Sequence, residues 1–186
     1  KALANALKDK EKYFLVTVKS TVTPKTCEEI ILPILKKQKE DIGLCMNPEF
    51  ITQIHSSWTM DHSMKRDWSS EDKIVIGANN EIAANKLEEI YQPTNIPIIK
   101  TTLRTAELVK YASNVHLATR ISFFNEIFLL SKELDIDSEV IATALSMDKR
   151  IGRYGTVHGK AYGGACFPKD VSAFLNFSEK YTKTPI

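Results

Sequence analysis

The sequence predicts an α/β fold that gives way to an all-helical part, on three observations. Short β-branched and aromatic runs recur up to about residue 104, helical apolar recurrence lies between them, and beyond residue 105 the strand-like runs stop. Strands alternating with helices predict a parallel sheet. The boundary is placed between residues 104 and 105, dividing the chain into 1–104 and 105–186.

The elements follow in order. "KALANAL" reads as the end of a helix and "YFLVTV" (13–18) as a buried strand. The polar turn "KSTVTPKT" follows. Pro24 precedes "CEEIILPILKKQ", a helix with Pro33 disturbing its middle, and "DIGLCM" (41–46) is a second strand closed by the turn "NPEF". "KIVIG" (73–77) is a third strand, "NEIAANKLEEIY" a helix and "IPIIKTT" a short fourth strand. In such sheets ligands bind outside the carboxyl ends of strands, where "STV" and "NPEF" fall.

Between Gln53 and Asp72 runs a polar tract without glycine or proline. It reads either as a lid, with Trp58 or Trp68 covering a ligand, or as a surface insertion. His55 and His62 lack the i, i+4 spacing of a helical zinc site, so no metal is assigned. Residues 105–134 hold neither glycine nor proline and carry apolar side chains at helical spacing, including Leu108, Tyr111, Val115, Ile127 and Leu134. As one helix they would extend roughly 45 Å. Such a rod either connects domains and pairs with a second subunit or is a bent helix pair within one bundle. Lys110 and Asn114 share a face of it, as a solvated stripe or as an ammonium and an amide aimed into one cleft. "DSEVIATALSM" is a further helix, and a glycine-punctuated loop leads to a last helix starting near Pro168.

Composition narrows the function classes. In 186 residues, 25 basic against 23 acidic side chains leave a formal charge of +2 without a sustained basic face, which does not suggest nucleic-acid or membrane-surface binding. The start lacks the apolar run of a signal peptide, and no apolar stretch approaches the ~20 residues of a membrane span. It also lacks an initiator methionine, so the chain reads as a piece of a longer protein. Cys27, Cys45 and Cys166 are odd in number and widely spaced, fitting reduced, cytoplasmic thiols.

The string "GGACFPKD" (163–170) concentrates the chemistry. Paired glycines mark a tight turn, and Pro168 suits the first turn of a helix, so Cys166 falls at a helix amino end. There unpaired amides, helped by Lys169, favour thiolate and hence a nucleophile. The other reading is a small buried residue at a loop–helix junction.

Taken in order, "KSTV", "NPEF", "KIVIG", "ELVKYASNVHLATRISFFNEI", "DKRIG" and "GGACFPKD" resemble the UDP-glucose/GDP-mannose dehydrogenase family over nearly the whole chain. The resemblance implies the carboxy-terminal part of a Rossmann-like NAD-binding domain in residues 1–104. It implies an all-α central dimerisation domain in 105–186, a homodimer through residues 105–134, NAD as cofactor and a nucleotide sugar as substrate. It implies oxidation of the sugar C6 alcohol to a carboxylate through a Cys166 thiohemiacetal and thioester. Lys110 and Asn114 would contact the reacting sugar, and Asp170 with Thr21 would position water. Glu49 would act as general base, and Thr21 and Lys169 would lie toward the nicotinamide. Phe50, Tyr162, Gly163 and Phe167 would line the substrate, and Arg150 would reach the partner subunit's substrate.

This chain also departs from the family pattern. It has no G-x-G-x-x-G, so half of the cofactor site and the last domain are expected outside it, and no activity is expected from it alone. "NPEFITQI" carries Gln53 where the family has an acid that touches cofactor or substrate. Ala165 stands for the frequent serine and Tyr162 for phenylalanine. "CFPKD" argues against the branch acting on N-acetylated mannosamine nucleotides but does not separate UDP-glucose from GDP-mannose. Two alternatives make different predictions: a β-hydroxyacid dehydrogenase relative needs no cysteine, and a non-catalytic helical dimerisation module has an ordinary Cys166.

Overall fold

The structure is a computed structural model and describes residues 2–51 and 71–182. Gln53, His55, Trp58, His62 and Trp68, on which the lid and cofactor expectations fall, lie outside the described residues. Two compact units divide the chain; the first contains residues 2–50 and 71–111, the second residues 112–182. The division falls inside one continuous helix.

In the first unit, α1 (Ala2–Leu7) precedes β1 (Phe14–Val18), then come α2 (Leu32–Lys36), β2 (Ile42–Met46), β3 (Ile74–Ala78), α3 (Glu81–Tyr91) and β4 (Ile98–Thr102). The four strands lie in the order β1-β2-β3-β4. β1–β2 and β3–β4 pair in parallel, as the alternation of strands and helices predicts, whereas β2–β3 is antiparallel through Cys45↔Ala78 and Met46↔Gly77. The sheet is therefore mixed rather than wholly parallel. A parallel neighbour requires a crossover, usually a helix; an antiparallel one does not. α3 supplies that crossover between β3 and β4, and α2 between β1 and β2. Asn79 closes the antiparallel pair, its backbone N–H donating to the Leu44 carbonyl and its Oδ1 accepting from the Leu44 amide.

Side chains alternate across the sheet with the period of two expected of strands. Leu44, Met46 and Val75 face α1, α2 and the start of the long helix, whereas Cys45, Ile74 and Ile76 face Ala83, Ala84 and Leu87 of α3. Burying both faces makes β2 continuously apolar, as "DIGLCM" reads. Pro33 acts one turn earlier than expected. Residues Thr26–Ile31 form a wide π-type turn, and regular α-geometry begins only at Leu32. A proline without an N–H cannot bond back to the preceding turn, and the looser turn accommodates that loss. α3 starts on Asn80, whose Oδ1 accepts from Ala83 N at 2.8 Å.

α4 (Leu103–Glu133) is a single helix of 31 residues, starting slightly earlier than the pattern predicts. Its first turns pack on β3 because position 77 is glycine: a Cβ there would lie 2.6 Å from Ala106 Cβ and 2.7 Å from the Thr102 carbonyl oxygen. In the second unit, α5 (Ser138–Met147) is capped by Asp137, and α6 (Phe167–Ser178) follows the loop 148–166. Among the described residues no helix is long and apolar enough to cross a membrane.

Candidate active site

In the first unit, candidate residues gather at the carboxyl ends of two parallel strands. Val18 and Met46 are register partners, so the loops following β1 and β2 leave the sheet side by side. Thr21 lies half-buried in the first loop. Asn47, Pro48, Glu49 and Phe50 occupy the second, where the Asn47 backbone N–H donates to the Val18 carbonyl at 2.9 Å. Burial of Asn47 and Pro48 leaves Glu49 half-exposed, with Oε1 3.0 Å from Lys19 Nζ. The Phe50 amide donates to Glu71 Oε1 at 2.8 Å, and the Phe50 ring receives two ammonium groups, Lys73 at 4.4 Å and Lys110 at 5.2 Å from its centroid. Phe50 and Lys110 are thus brought together, from the β2 loop and α4.

One turn before Lys110, Glu107 is fully buried. Its carboxylate accepts from Lys25 N at 2.6 Å and Cys27 N at 2.7 Å, capping the turn at the end of the β1 loop. Charge-assisted bonds to backbone amides contribute roughly 1.5–3 kcal/mol each. Glu107 was not predicted; its signal is an acid set among Leu103, Ala106 and Tyr111 on the helix face that is otherwise buried. Burial, with the Glu107 carboxylate beside it, pushes the Cys27 thiol upward, and burial pushes Cys45 up to about 12. Neither is poised as a nucleophile at neutral pH.

The second unit carries the thiol. Cys166 occupies the N-cap position of α6, and its carbonyl accepts the first helical bond, from Asp170 N at 2.9 Å. It is the exposed one of three free cysteines, so the reading as a small buried residue at the junction is set aside. Gly164 takes φ +76°, a left-handed conformation that explains the second glycine of the pair; among the described residues nothing lies within 4 Å of where a Cβ on Gly163 would sit. Phe167 and Tyr162 are half-buried on either side.

Asp170 is almost wholly buried in the first turn of α6, where the helix dipole favours a carboxylate. Asn114 Nδ2 donates to its Oδ2 at 2.6 Å. Oδ1 lies 2.8 Å from Lys169 Nζ, an ion pair whose angles fall short of a hydrogen bond. Asn114 and Asp170 are thus joined directly, one helical turn from Cys166. The ammonium of Lys169, three residues on from Cys166 in sequence, pairs with Asp170.

Between α5 and α6 the loop is held to α4 by side chains to which the sequence alone gives no role. Arg120 donates to the carbonyls of Ile151 at 2.6 Å and Gly152 at 3.1 Å. Asn125 accepts from Gly159 N at 2.8 Å and donates to the Lys160 carbonyl at 2.9 Å, and His158 stacks on Phe128 with centroids 4.5 Å apart. Arg150 projects outward and grips Asp148 through Nη2–Oδ2 at 2.6 Å, which holds the Asp148 carboxyl below the usual carboxylate range.

Threonine, carboxylate and aromatic side chains thus gather at the carboxyl ends of paired parallel strands, where open α/β sheets bind their ligands. The model of the NAD binding domain of the UDP-glucose/GDP-mannose dehydrogenase family matches residues 1–95, and that of the family's central domain residues 104–185. The chain belongs to this family. It is 39% identical to a UDP-glucose 6-dehydrogenase of Bacillus subtilis over 88% of this chain and 36% of that protein. It is 33% identical to a GDP-mannose 6-dehydrogenase of Azotobacter vinelandii over 92% of this chain and 39% of that one. A solved UDP-glucose dehydrogenase from the hyperthermophilic archaeon Pyrobaculum islandicum superposes with a TM-score of 0.83 at 38% identity, covering 96% of this chain and 40% of that one. The chain therefore spans about two fifths of the length of the relatives it matches.

Proposed function

We propose that the full-length chain carrying this segment is a cytoplasmic, NAD-dependent nucleotide-sugar dehydrogenase that converts UDP-glucose to UDP-glucuronate. In this reading residues 1–104 are the partial NAD-binding domain, residues 105–186 are the central domain, and the segment alone is inactive. The observation that carries it is the exposed Cys166 one turn from the buried Asn114–Asp170 pair. UDP-glucose is favoured over GDP-mannose by the higher identity to the Bacillus and Pyrobaculum relatives. The exposed thiol favours this reading over a β-hydroxyacid dehydrogenase, which needs none.

The residues present fit NAD as far as they go. Adjacent parallel strand ends, with Thr21 in the loop that follows β1, suit its nicotinamide side, with Lys169 and Gln53 as further contacts, while this sequence holds no glycine-rich pyrophosphate motif. NAD, when bound, supplies hydride acceptance at both oxidation steps. The Cys166 sulfur forms a C–S bond to the C6 aldehyde, and the resulting oxyanion is stabilised by the Lys110 ammonium and oriented by the Asn114 amide. Asp170 fixes that amide and, with Thr21, positions water. Glu49 takes the proton as water attacks the thioester; the C–S bond breaks, the sulfur leaves as thiolate, and the sugar acid ionises. Phe50, Tyr162, Gly163 and Phe167 line the sugar.

The enzyme acts as a homodimer. Phe123, Leu129 and Leu130 on α4, with Val140 and Met147 on α5, are exposed apolar side chains suited to pairing residues 105–134 with a second copy. Arg150, exposed on its loop, is the side chain offered to the partner's substrate. The test is stoichiometric: the full-length enzyme is expected to form two NADH per UDP-glucuronate, and Cys166→Ser to lose turnover by on the order of 10³-fold. Full turnover by the serine variant, or one NADH per sugar, overturns the reading.

A further inference from the structure

The lysine of "KSTV", at the carboxyl end of β1, has no assigned part in the chemistry, yet three oxygen acceptors surround it. Its Nζ lies 3.0 Å from Glu49 Oε1, 3.1 Å from Asn47 Oδ1 and 3.0 Å from the Tyr91 hydroxyl. An ammonium has three protons, and each has an acceptor here. The acceptors are themselves fixed. Tyr91 donates to Asn47 Oδ1 at 2.6 Å, and Asn47, 2% exposed, donates through Nδ2 to the Val75 carbonyl at 2.9 Å. Tyr91 ends α3, where Thr94 Oγ1 closes on its carbonyl at 2.7 Å. Burial works against the Lys19 ammonium, but the hydrogen bonds to Tyr91 and Glu49 outweigh it and raise the affinity for its proton.

This arrangement is poorly explained as a device for stability. The Lys19 and Glu49 side chains are 43% and 44% exposed, and pairs so open to water contribute little while restraining two long side chains. What the contacts achieve is orientation, because β1, β2, β3 and the end of α3 all converge through one ammonium on one carboxylate oxygen.

We propose that Lys19, held by Asn47 and Tyr91, is the positioning residue that aims the Glu49 carboxylate for thioester hydrolysis. Oε1 is gripped by the ammonium, and Oε2 takes the proton from the attacking water. The inference rests on Glu49 being the general base. An ammonium fixed on a neighbouring strand end leaves the carboxylate little of its rotamer freedom, and misplacement of a reacting group by about 1 Å can slow a reaction roughly 10²-fold.

The test uses the full-length enzyme with UDP-glucose and NAD. Lys19→Met is expected to lower kcat about 10–100-fold with both KM values within about twofold, since the residue acts on a chemical step rather than on binding. Lys19→Arg should restore most of the rate, and Tyr91→Phe should give a smaller loss in the same direction without removing the charge. Mass spectrometry of acid-quenched enzyme should show the sugar thioester accumulating on Cys166 in the Lys19→Met and Tyr91→Phe variants. Wild-type kcat in Lys19→Met, a raised KM with unchanged kcat, or a slowed variant without accumulated thioester overturns the proposal. Should Lys19→Met not fold, Tyr91→Phe decides between the same outcomes. Glu49→Gln separates the general-base role from the positioning role. If it turns over normally, the base assignment itself falls; if it is slow while the Lys19 variants are not, the assignment stands and the positioning role falls.

Discussion

Glu107 in the first unit and Asp170 in the second are both carboxylates withdrawn from water, and they differ in what satisfies them. Glu107 is bound by two backbone amides across a long sequence separation, so it ties α4 to the β1 loop. Asp170 is bound by one side-chain amide and flanked by one ammonium, a turn away from an exposed thiol. Burial of a charge therefore does not by itself mark chemistry. A carboxylate held by main chain reads as a fastener, and one held by side chains beside an exposed thiol reads as a candidate for chemistry.

Crossing the two positions tests that distinction, with the largest effect expected in activity. Asp170→Asn keeps the shape but removes the charge, and is expected to lower kcat of the full-length enzyme by roughly 10²-fold or more with a modest change in unfolding midpoint. Glu107→Ala is expected to do the reverse. It strands one buried and one partly buried N–H donor at about 1–3 kcal/mol each, and should shift denaturant unfolding by roughly 2–6 kcal/mol. Equal stability losses at the two positions would remove the contrast.

Smaller effects sharpen it. Arg120→Ala removes two hydrogen bonds to the carbonyls that hold the loop around Arg150, and should cost about 1–3 kcal/mol and raise proteolytic nicking within residues 148–166. The first unit carries a pH signature in its buried thiols. Cys27 and Cys45 bind their protons more tightly when folded, so their stabilising contribution is full below about pH 8.5 and is lost as pH rises toward and through the folded values. Thermal stability should therefore fall on the alkaline side, and Cys45→Ala should flatten that slope. At neutral pH iodoacetamide should label Cys166 well before the other two thiols, by peptide mapping; equal labelling would show the first unit's core to be open.

How much of this was legible in the chain depends on the range of the forces involved. Short runs of β-branched, aromatic and other apolar residues placed β1 to β4 within a residue or two, because the preference of such side chains for extended backbone is largely local. The unbroken tract after residue 104 announced α4 for the same kind of reason. "GGACFPKD" announced a turn, a cap and a thiol, since glycine and proline act through their own φ angles. The antiparallel β2–β3 pair was not legible: direction depends on where the chain returns from, and no single stretch records it. Lys19 and Asn47 stood in "KSTV" and "NPEF" without a role of their own, and their grouping with Tyr91 was likewise not legible, the three being far apart in sequence. Glu107 was hidden beside Lys110 and Asn114, whose spacing says nothing of an acid one turn earlier.

By itself, then, the order of residues determined the two textures of the chain, the family they belong to and the cysteine at a helix start, because each rests on neighbours within a few positions. Only the tertiary structure decided which carboxylate fastens and which stands beside the thiol, and which lysine grips Glu49. Those outcomes depend on distances of about three ångströms between side chains far apart in sequence, and such distances exist only once the sheet and the helices have packed.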